Sequence, residues 1–338
     1  KMVYFSGNLI TGDVAVPVSA TDQNNDLVIG DGEGWNLAGN PYPSAIDWDH
    51  PDWLKQNIGG SVYVYDGTQY LSWNGSAGSL TDGIIPAMQA FFVKAFDDPP
   101  ALLIPNAARI HGVEPYKAGQ GAEHVLSLTV EGNGYRDAAF IQFRPDATES
   151  FDHQSDAYKI KGIKEAPQLY TTDGNTSYSI HSLPTQADTA LVTLAFEPGT
   201  NGVFILKYQS ALIYELYEQV LLTDLLEESV IVLGHEGMYE FDANCQDMKQ
   251  RFRLMFVKSC EIPEQKGYTL YFDGNSVILK TFDSHGTVDI YDVTGKKLCG
   301  FESMAETSYR IECIKTSGIY LVRFQTNGVA TTSRVVFP

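Results

Sequence analysis

The sequence predicts an all-β protein, and three observations carry the prediction. Short apolar runs recur along the whole 338-residue chain and are broken by clusters of Gly, Asn, Asp and Pro, the spacing of short strands joined by turns. Thirty glycines and fifteen prolines supply those turns. Only one stretch, Tyr214 to Leu233 (YELYEQVLLTDLLEESVIVL), offers apolar residues at helical spacing, through Leu216, Val220 and Leu225. Even there the apolar residues crowd into Val220 to Leu222 and Val230 to Leu233 around the acidic break Glu227-Glu228, which favours two strands over a helix.

The first region runs from Lys1 to about Val113. Its clearest strands are Val14 to Val18, Gly60 to Tyr65, Ala90 to Ala95 and Ala101 to Ile104. Between them lies GWNLAGNPYPSAIDWDHPDW, Gly34 to Trp53, where Pro41, Pro43 and Pro51 prevent any helix or central strand from continuing. This stretch is expected to be an ordered excursion between strands. All four tryptophans, Trp35, Trp48, Trp53 and Trp73, fall in this region. An indole face offers apolar area with a polar N–H at its edge, so the four could form a platform on which sugar rings stack. The competing reading, burial beneath a long loop, is the commoner fate of clustered aromatics. Asp22, Asn24 and Asp26 begin a calcium-loop pattern, but Leu27 stands where the sharp-turn Gly is needed and no Glu occupies the twelfth position. A solvated acidic turn is expected there.

The second region, about Glu114 to Pro263, opens with the link EPYKAGQGAEH and continues through strands at His124 to Val130, Ala138 to Phe143, Leu191 to Phe196 and Val203 to Tyr208. Met238 to Ala243 and Arg251 to Lys258 read as a hairpin. Asp152, His153 and Asp156, with Lys159 nearby, are the one compact set of carboxylates and imidazole. They could hold a metal or work as an acid and base. With no third ligand or nucleophile at defined spacing, a polar loop is expected, its aspartates accepting backbone N–H groups and pairing with Lys159.

No HExxH, GxSxG, P-loop or CxxC occurs, and the remaining histidines, His50, His111, His124, His181, His235 and His285, are scattered. The expectation is therefore no catalytic residue, no cofactor and no metal. A net charge of −19 argues against nucleic acid and anionic membrane faces as partners, and no apolar run is long enough to insert in a membrane as a helix. Four cysteines make no disulfide framework. Cys299 and Cys313 would meet across a hairpin turning near Met304 to Ser308, which leaves their bonding open, whereas a hairpin near Asp247 sets Cys245 and Cys260 apart.

In the third region Val288 to Val293 reads as a strand ending in the turn Thr294-Gly295-Lys296. Ile319 to Phe324 follows the turn Thr316-Ser317-Gly318, where Gly318 is expected to supply a positive φ, and Val329 to Phe337 is the last strand. The pieces VDIYDVTGKKL, SGIYLVRF and TTSRVVF resemble the C-terminal sorting domain of the type IX secretion system. Residues carried over on that resemblance are Gly295, Gly318, Ile319, Tyr320, Leu321, Val322, Arg334, Val335 and Val336. The usual opening apolar-Pro-Asn-Pro phrase is absent, since Tyr271 to Asn275 contains no proline. GWNLAGNPYPSAIDW, VYVYDGTQYLSW, IIPAMQAFFVKA and ARIHG resemble a β-module that precedes such tails, His111 closing its R-x-H phrase. YRDAAFIQF, FDHQSDAYKI, APQLYT and RFRLMF resemble a second sandwich found between the two.

The resemblance implies three consecutive antiparallel β-sandwich domains, 1–113, 114–263 and 264–338, the last Ig-like. It implies a non-catalytic protein delivered to the medium or the outer face of a Gram-negative outer membrane. Its expected partners are the type IX secretion machinery and a glycan or host or cell-surface protein ligand, in an adhesion or surface-interaction role. The alternative is a carbohydrate-binding accessory region of a larger secreted hydrolase. The opening residues KMVYFSGNLITGD show no signal-peptide pattern, so an exported chain of this kind is expected to be the C-terminal part of something longer.

Overall fold

A computed structural model describes residues 7–24, 26, 29–110, 124–186, 189–258, 268–273, 276–281, 285–292, 294–304, 307–314, 318–326 and 329–337. The chain is all-β and divides into two compact units, Lys1–Lys258 and Ser259–Pro338. Tyr214 to Leu233 becomes one helical turn, Ile213–Leu216, followed by the strands Gln219–Asp224 and Ser229–Leu233, and Glu228 takes a left-handed φ of 51° at the break between them. The apolar clusters therefore override the helical spacing, as the sequence suggested.

In the larger unit, residues up to 110 build three small sheets. Trp35–Gly39, Ala90–Lys94, Val62–Tyr65 and Tyr70–Trp73 form a four-stranded sheet, and Val14–Val16, Ala101–Ile104 and Leu54–Gln56 form a three-stranded one. Ile46–Asp47 and Ile84–Ile85 make a short pair. Trp48, Phe91, Ile85, Val62 and Ile104 are buried together between them. Side-chain hydrogen bonds order the Gly34 to Trp53 excursion: the Asn40 amide donates to the carbonyls of Ser44 (2.9 Å) and Pro86 (2.9 Å), its oxygen accepts the Tyr42 N–H at 3.0 Å, and the Tyr42 hydroxyl donates to the Gly12 carbonyl at 2.7 Å. Buried backbone polar groups in a proline-rich loop need such partners, because no ladder supplies them.

From His124 onward the same unit forms one long sheet of eleven described strands. The sheet curls on itself until Phe241, on one end strand, and Phe252, on the third strand from the other end, lie 5.1 Å apart across a core that includes Leu128, Ile141, Leu194 and Phe204. Tyr135–Arg144 pairs in parallel with Ser177–Pro184, a departure from the antiparallel expectation. The intervening Ala157–Tyr158 and Gln168–Thr172 strands supply the long crossover that parallel pairing needs. The expected hairpin of Met238–Ala243 with Arg251–Lys258 is also corrected. Glu236–Ala243 pairs with Gly202–Ala211, and Phe252–Val257 pairs with Thr189–Glu197 and Gln219–Asp224. A buried ion pair stands where the hairpin ladder was expected: the Arg251 guanidinium holds the Asp224 carboxylate at 2.8 Å and donates to the Asp242 carbonyl at 2.6 Å.

The smaller unit contains a three-stranded sheet, Tyr268–Asp273, Ser276–Thr281 and Ser308–Ile311. A four-stranded sheet, Lys297–Ser303, Gly286–Asp292, Gly318–Thr326 and Val329–Phe337, packs against it through Leu279, Ile290, Val322 and Phe324, in an Ig-like seven-strand arrangement. Cys299 and Cys313 are joined by a disulfide with 6.1 Å between their Cα atoms. The geometry differs from the expected hairpin, because Lys297–Ser303 pairs with Gly286–Asp292 while Ser308–Ile311 pairs with Ser276–Thr281. The bond thus ties the Lys297–Ser303 strand of one sheet to the bend that follows Ser308–Ile311 of the other.

Candidate functional site: an aromatic cleft in the larger unit

Strand alternation puts Trp35, Phe92, Tyr63 and Tyr70 on one face of the four-stranded sheet, opposite the core face that carries Ala38, Phe91, Val62 and Val64. The second region covers part of that face. The Tyr63 hydroxyl accepts the Tyr158 N–H at 2.8 Å, Ser179 Oγ meets Ser72 Oγ at 3.0 Å, and Asn74 donates to the Gln142 side chain at 3.2 Å. What the cover leaves open is a cleft of about 500 Å³ whose apolar walls are Trp35, Tyr70, Phe92, Tyr158 and Ile160. Asp31, Asn175 and Ser177 are the uncharged-polar and acidic residues of its lining. Tyr70 continues to Phe92 (5.9 Å between centroids) and to Tyr65 (5.0 Å), and Leu37 on the same face is 63% exposed.

The walls are fixed by their own contacts. The Trp35 indole N–H donates to the Asp31 carbonyl at 2.8 Å, and its ring packs edge-on against Tyr63 and Tyr158 at 5.2 and 5.9 Å. Buried Lys94 donates to the carbonyls of Gly30 and Glu33, each at 2.6 Å, and so pins the turn that carries Asp31. Burial pushes its ammonium down to about 8, with Asp31 and Glu33 opposing. Burial and the neighbouring Asp31 raise the Tyr158 hydroxyl well above its ordinary value. Both lysines of the lining are paired: Lys159 with buried Asp137, and Lys161 with Glu197 at 2.5 Å. Desolvation of the Glu197 carboxyl is outweighed by hydrogen bonds from Lys161, Tyr170 and Lys249, which bring it down to about 2.

Of the four tryptophans, Trp35 alone lines this cleft. Trp48 and Trp53 are buried, 4.8 Å apart in the core, with their N–H groups on the Gly60 and Asp47 carbonyls. Trp73 is half-buried and donates to Asp49. Asp152 and Asp156 do accept backbone N–H groups, Asp152 from Gln154 and Asp156 from Asp152 and Ser182. Lys159, however, is drawn to Asp137 rather than to either of them, a correction that follows from the buried carboxylate beside it. His153 stacks on Phe96 at 4.6 Å. Asn24 and Asp26 hydrogen-bond each other, and among the described residues no group of three or more His, Cys, Asp or Glu is placed to hold a metal. His111 lies outside the described residues.

In the smaller unit Gly295 has a φ of 84° in its turn. Gly318 opens a strand opposite Phe337 and shows no positive φ, so the expectation attached to its turn is corrected. Ile319, Tyr320 and Leu321 pair with Val336, Val335 and Arg334, and Val322 lies in the core. Sequence reasoning missed Tyr70, Phe92, Tyr158 and Asp31 as neighbours of Trp35. Alternation in WNLAG, AFFVK and YLSW marks the shared sheet face, but nothing local marks the strand that covers it.

No family model matches the chain. The sequence is 23% identical over 392 residues to the minor fimbrium subunit Mfa5 of Porphyromonas gingivalis; the match covers 99% of this chain and 31% of that protein, so the chain spans about a third of the relative's length. A solved structure of PorZ, an essential bacterial surface component of the type IX secretion system of Porphyromonas gingivalis, is 12% identical. It covers 90% of this chain and 58% of that one at a TM-score of 0.19, below the range in which two chains share a fold.

Proposed function

We propose that the chain is a non-catalytic interaction region of an exported bacterial surface protein, ending in a folded unit that serves as a type IX sorting tail. The observation that carries the reading is the separateness of that unit. Ser259–Pro338 is compact by itself and has its own core, and the two motif pieces GIYLVRF and TTSRVVF lie on neighbouring strands paired from Gly318–Phe337 to Thr326–Val329. A tail that folds on its own can be read by a secretion machinery without reference to its cargo.

Two further observations support a surface or secretion-associated protein. The similarity to a fimbrial subunit fits one, and the Cys299–Cys313 disulfide is of the kind that persists outside a reducing cytosol. No helix among the described residues is long and apolar enough to cross a membrane. Within this reading the larger unit makes the contacts, as an adhesion or surface-recognition region.

The test is export in a host with type IX secretion. Deleting Gly318–Pro338 is expected to leave the protein in the periplasm, and fusing Lys266–Pro338 to a heterologous cargo is expected to carry it to the surface or medium. Normal secretion of the deletion would refute the sorting role and leave the last unit an ordinary Ig-like sandwich.

A further inference from the structure

We propose that the aromatic cleft of the larger unit binds a short neutral saccharide, with Trp35, Phe92 and Tyr70 against the C–H faces of the sugar and Asp31, Asn175 and Ser177 on its hydroxyls. The proposal deepens the surface-interaction reading by giving it a ligand class, and it rests on that reading only for its biological setting.

The volume, about 500 Å³, falls within the roughly 300–1,000 Å³ of small-ligand sites. A pyranose ring presents apolar C–H faces and a girdle of hydroxyls, so it needs flat aromatic area bordered by hydrogen-bonding groups. The cleft has both. Its main aromatic is already immobilised: Trp35 is held by its N–H bond to Asp31 and by edge contacts to Tyr63 and Tyr158, so little side-chain freedom is lost on binding.

Charge selects the class of sugar. Lys159 is neutralised by Asp137 and Lys161 by Glu197, so the lining offers an anionic group no unpaired cation. Phosphate, sulfate and sialic acid are therefore disfavoured. The Asp31 carboxylate, which accepts from the Tyr158 hydroxyl, has acceptor positions left that suit an O–H donor of a neutral sugar. A proline-rich peptide would also lie on aromatic rings, but its prolines have no N–H to give that carboxylate.

The test uses the purified full chain. Oligomers of glucose, mannose, galactose and N-acetylglucosamine are screened on an array beside sialylated and sulfated glycans and a proline-rich peptide, and positives are titrated by calorimetry. At least one neutral oligomer is expected to bind, Trp35→Ala to weaken it about tenfold or more, and exposed Asn175→Ala to weaken it severalfold. Met88→Ala, on a residue 65% exposed and outside the cleft, is expected to leave binding unchanged. Thermal unfolding of each variant checks its fold, and if Trp35→Ala is unfolded then Asn175→Ala decides. The proposal is overturned if no neutral oligomer binds, if the anionic glycans or the peptide bind in their place, or if binding survives both cleft substitutions. Because the assay needs no secretion, its outcome is independent of the export test above.

Discussion

At the residue scale, two buried groups of the larger unit titrate against each other. Burial pushes the Asp156 carboxyl from its ordinary 3.8 up to about 7, with backbone N–H groups of Asp152 and Ser182 opposing, and it pushes His181 from 6.5 down to about 4. Between pH 4 and 6.5 folding takes up a proton at Asp156, so that contribution to stability falls as pH rises. Over the same window folding releases a proton at His181, so its contribution rises. His153, lowered by burial and by Lys94, acts in the same sense as His181. The native protein is expected to show a shallow pH dependence of its unfolding midpoint in this window. His181→Gln should expose the Asp156 trend, stability falling toward pH 7, and Asp156→Asn the opposite one. Parallel slopes in the two variants, measured by denaturation followed with circular dichroism, would show that these groups do not set the balance. A second test concerns backbone approach. A Cβ on Gly60 would drive into the Gln154 carbonyl, where the Gly60 N–H also donates to His153 O at 2.8 Å. Gly60→Ala is expected to cost about 1–3 kcal/mol in chemical denaturation; an unchanged midpoint would mean that the two regions are not held together there.

At the element scale, strand existence was legible and strand pairing was not. Ala101–Ile104 matches its expected limits, and the expected strands at Ala138 to Phe143 and Val203 to Tyr208 lie inside the longer Tyr135–Arg144 and Gly202–Ala211. Alternation and turn residues are local signals, so they are readable from the chain. Pairing depends on which apolar faces meet. Met238 to Ala243 and Arg251 to Lys258 are separated by a short turn, yet Phe241 and Phe252 face each other across the core while their strands pair elsewhere. Cys299 and Cys313 likewise came together as sequence spacing allowed, but from a strand of one sheet to the bend after a strand of the other instead of across a hairpin. Closing a loop with a sequence separation of 14, this disulfide constrains the unfolded chain, and replacing both cysteines by Ser is expected to cost the smaller unit about 3 kcal/mol. Calorimetry should show the transition of that unit moving while that of the larger unit stays; a shift in both would contradict their independence.

At the scale of the whole molecule, the division into Lys1–Lys258 and Ser259–Pro338 sets the expected behaviour of fragments. Each unit encloses separate clusters of buried side chains, Leu128 and Trp48 belonging to cores of the larger and Ile290 to the core of the smaller. A fragment spanning Lys1–Lys258 is therefore expected to fold alone, with a β-type far-ultraviolet spectrum and a cooperative transition. A fragment that stays unfolded until the remainder is added back would overturn that. Within the larger unit the opposite holds: Asn74 to Gln142, Tyr63 to Tyr158 and Ser72 to Ser179 are side-chain contacts between its first and second regions, and separate expression of 1–113 would leave their polar groups without those partners.

The sequence by itself determined the all-β class, the split of Tyr214 to Leu233 into two strands, and the existence of the last two strands, Gly318–Thr326 and Val329–Phe337. These follow from residue type and spacing within a few positions. Only the tertiary structure decided which aromatics are free to meet a ligand. Trp35, Trp48, Trp53 and Trp73 are alike in composition and close in sequence, but Trp48 and Trp53 are on the core side of their loop while Trp35 stands on the opposite face of its sheet. Tyr158, more than a hundred residues later, closes the cleft beside it. Exposure is a property of what packs against a side chain, and here the covering strand comes from too far along the chain for any local pattern to register it.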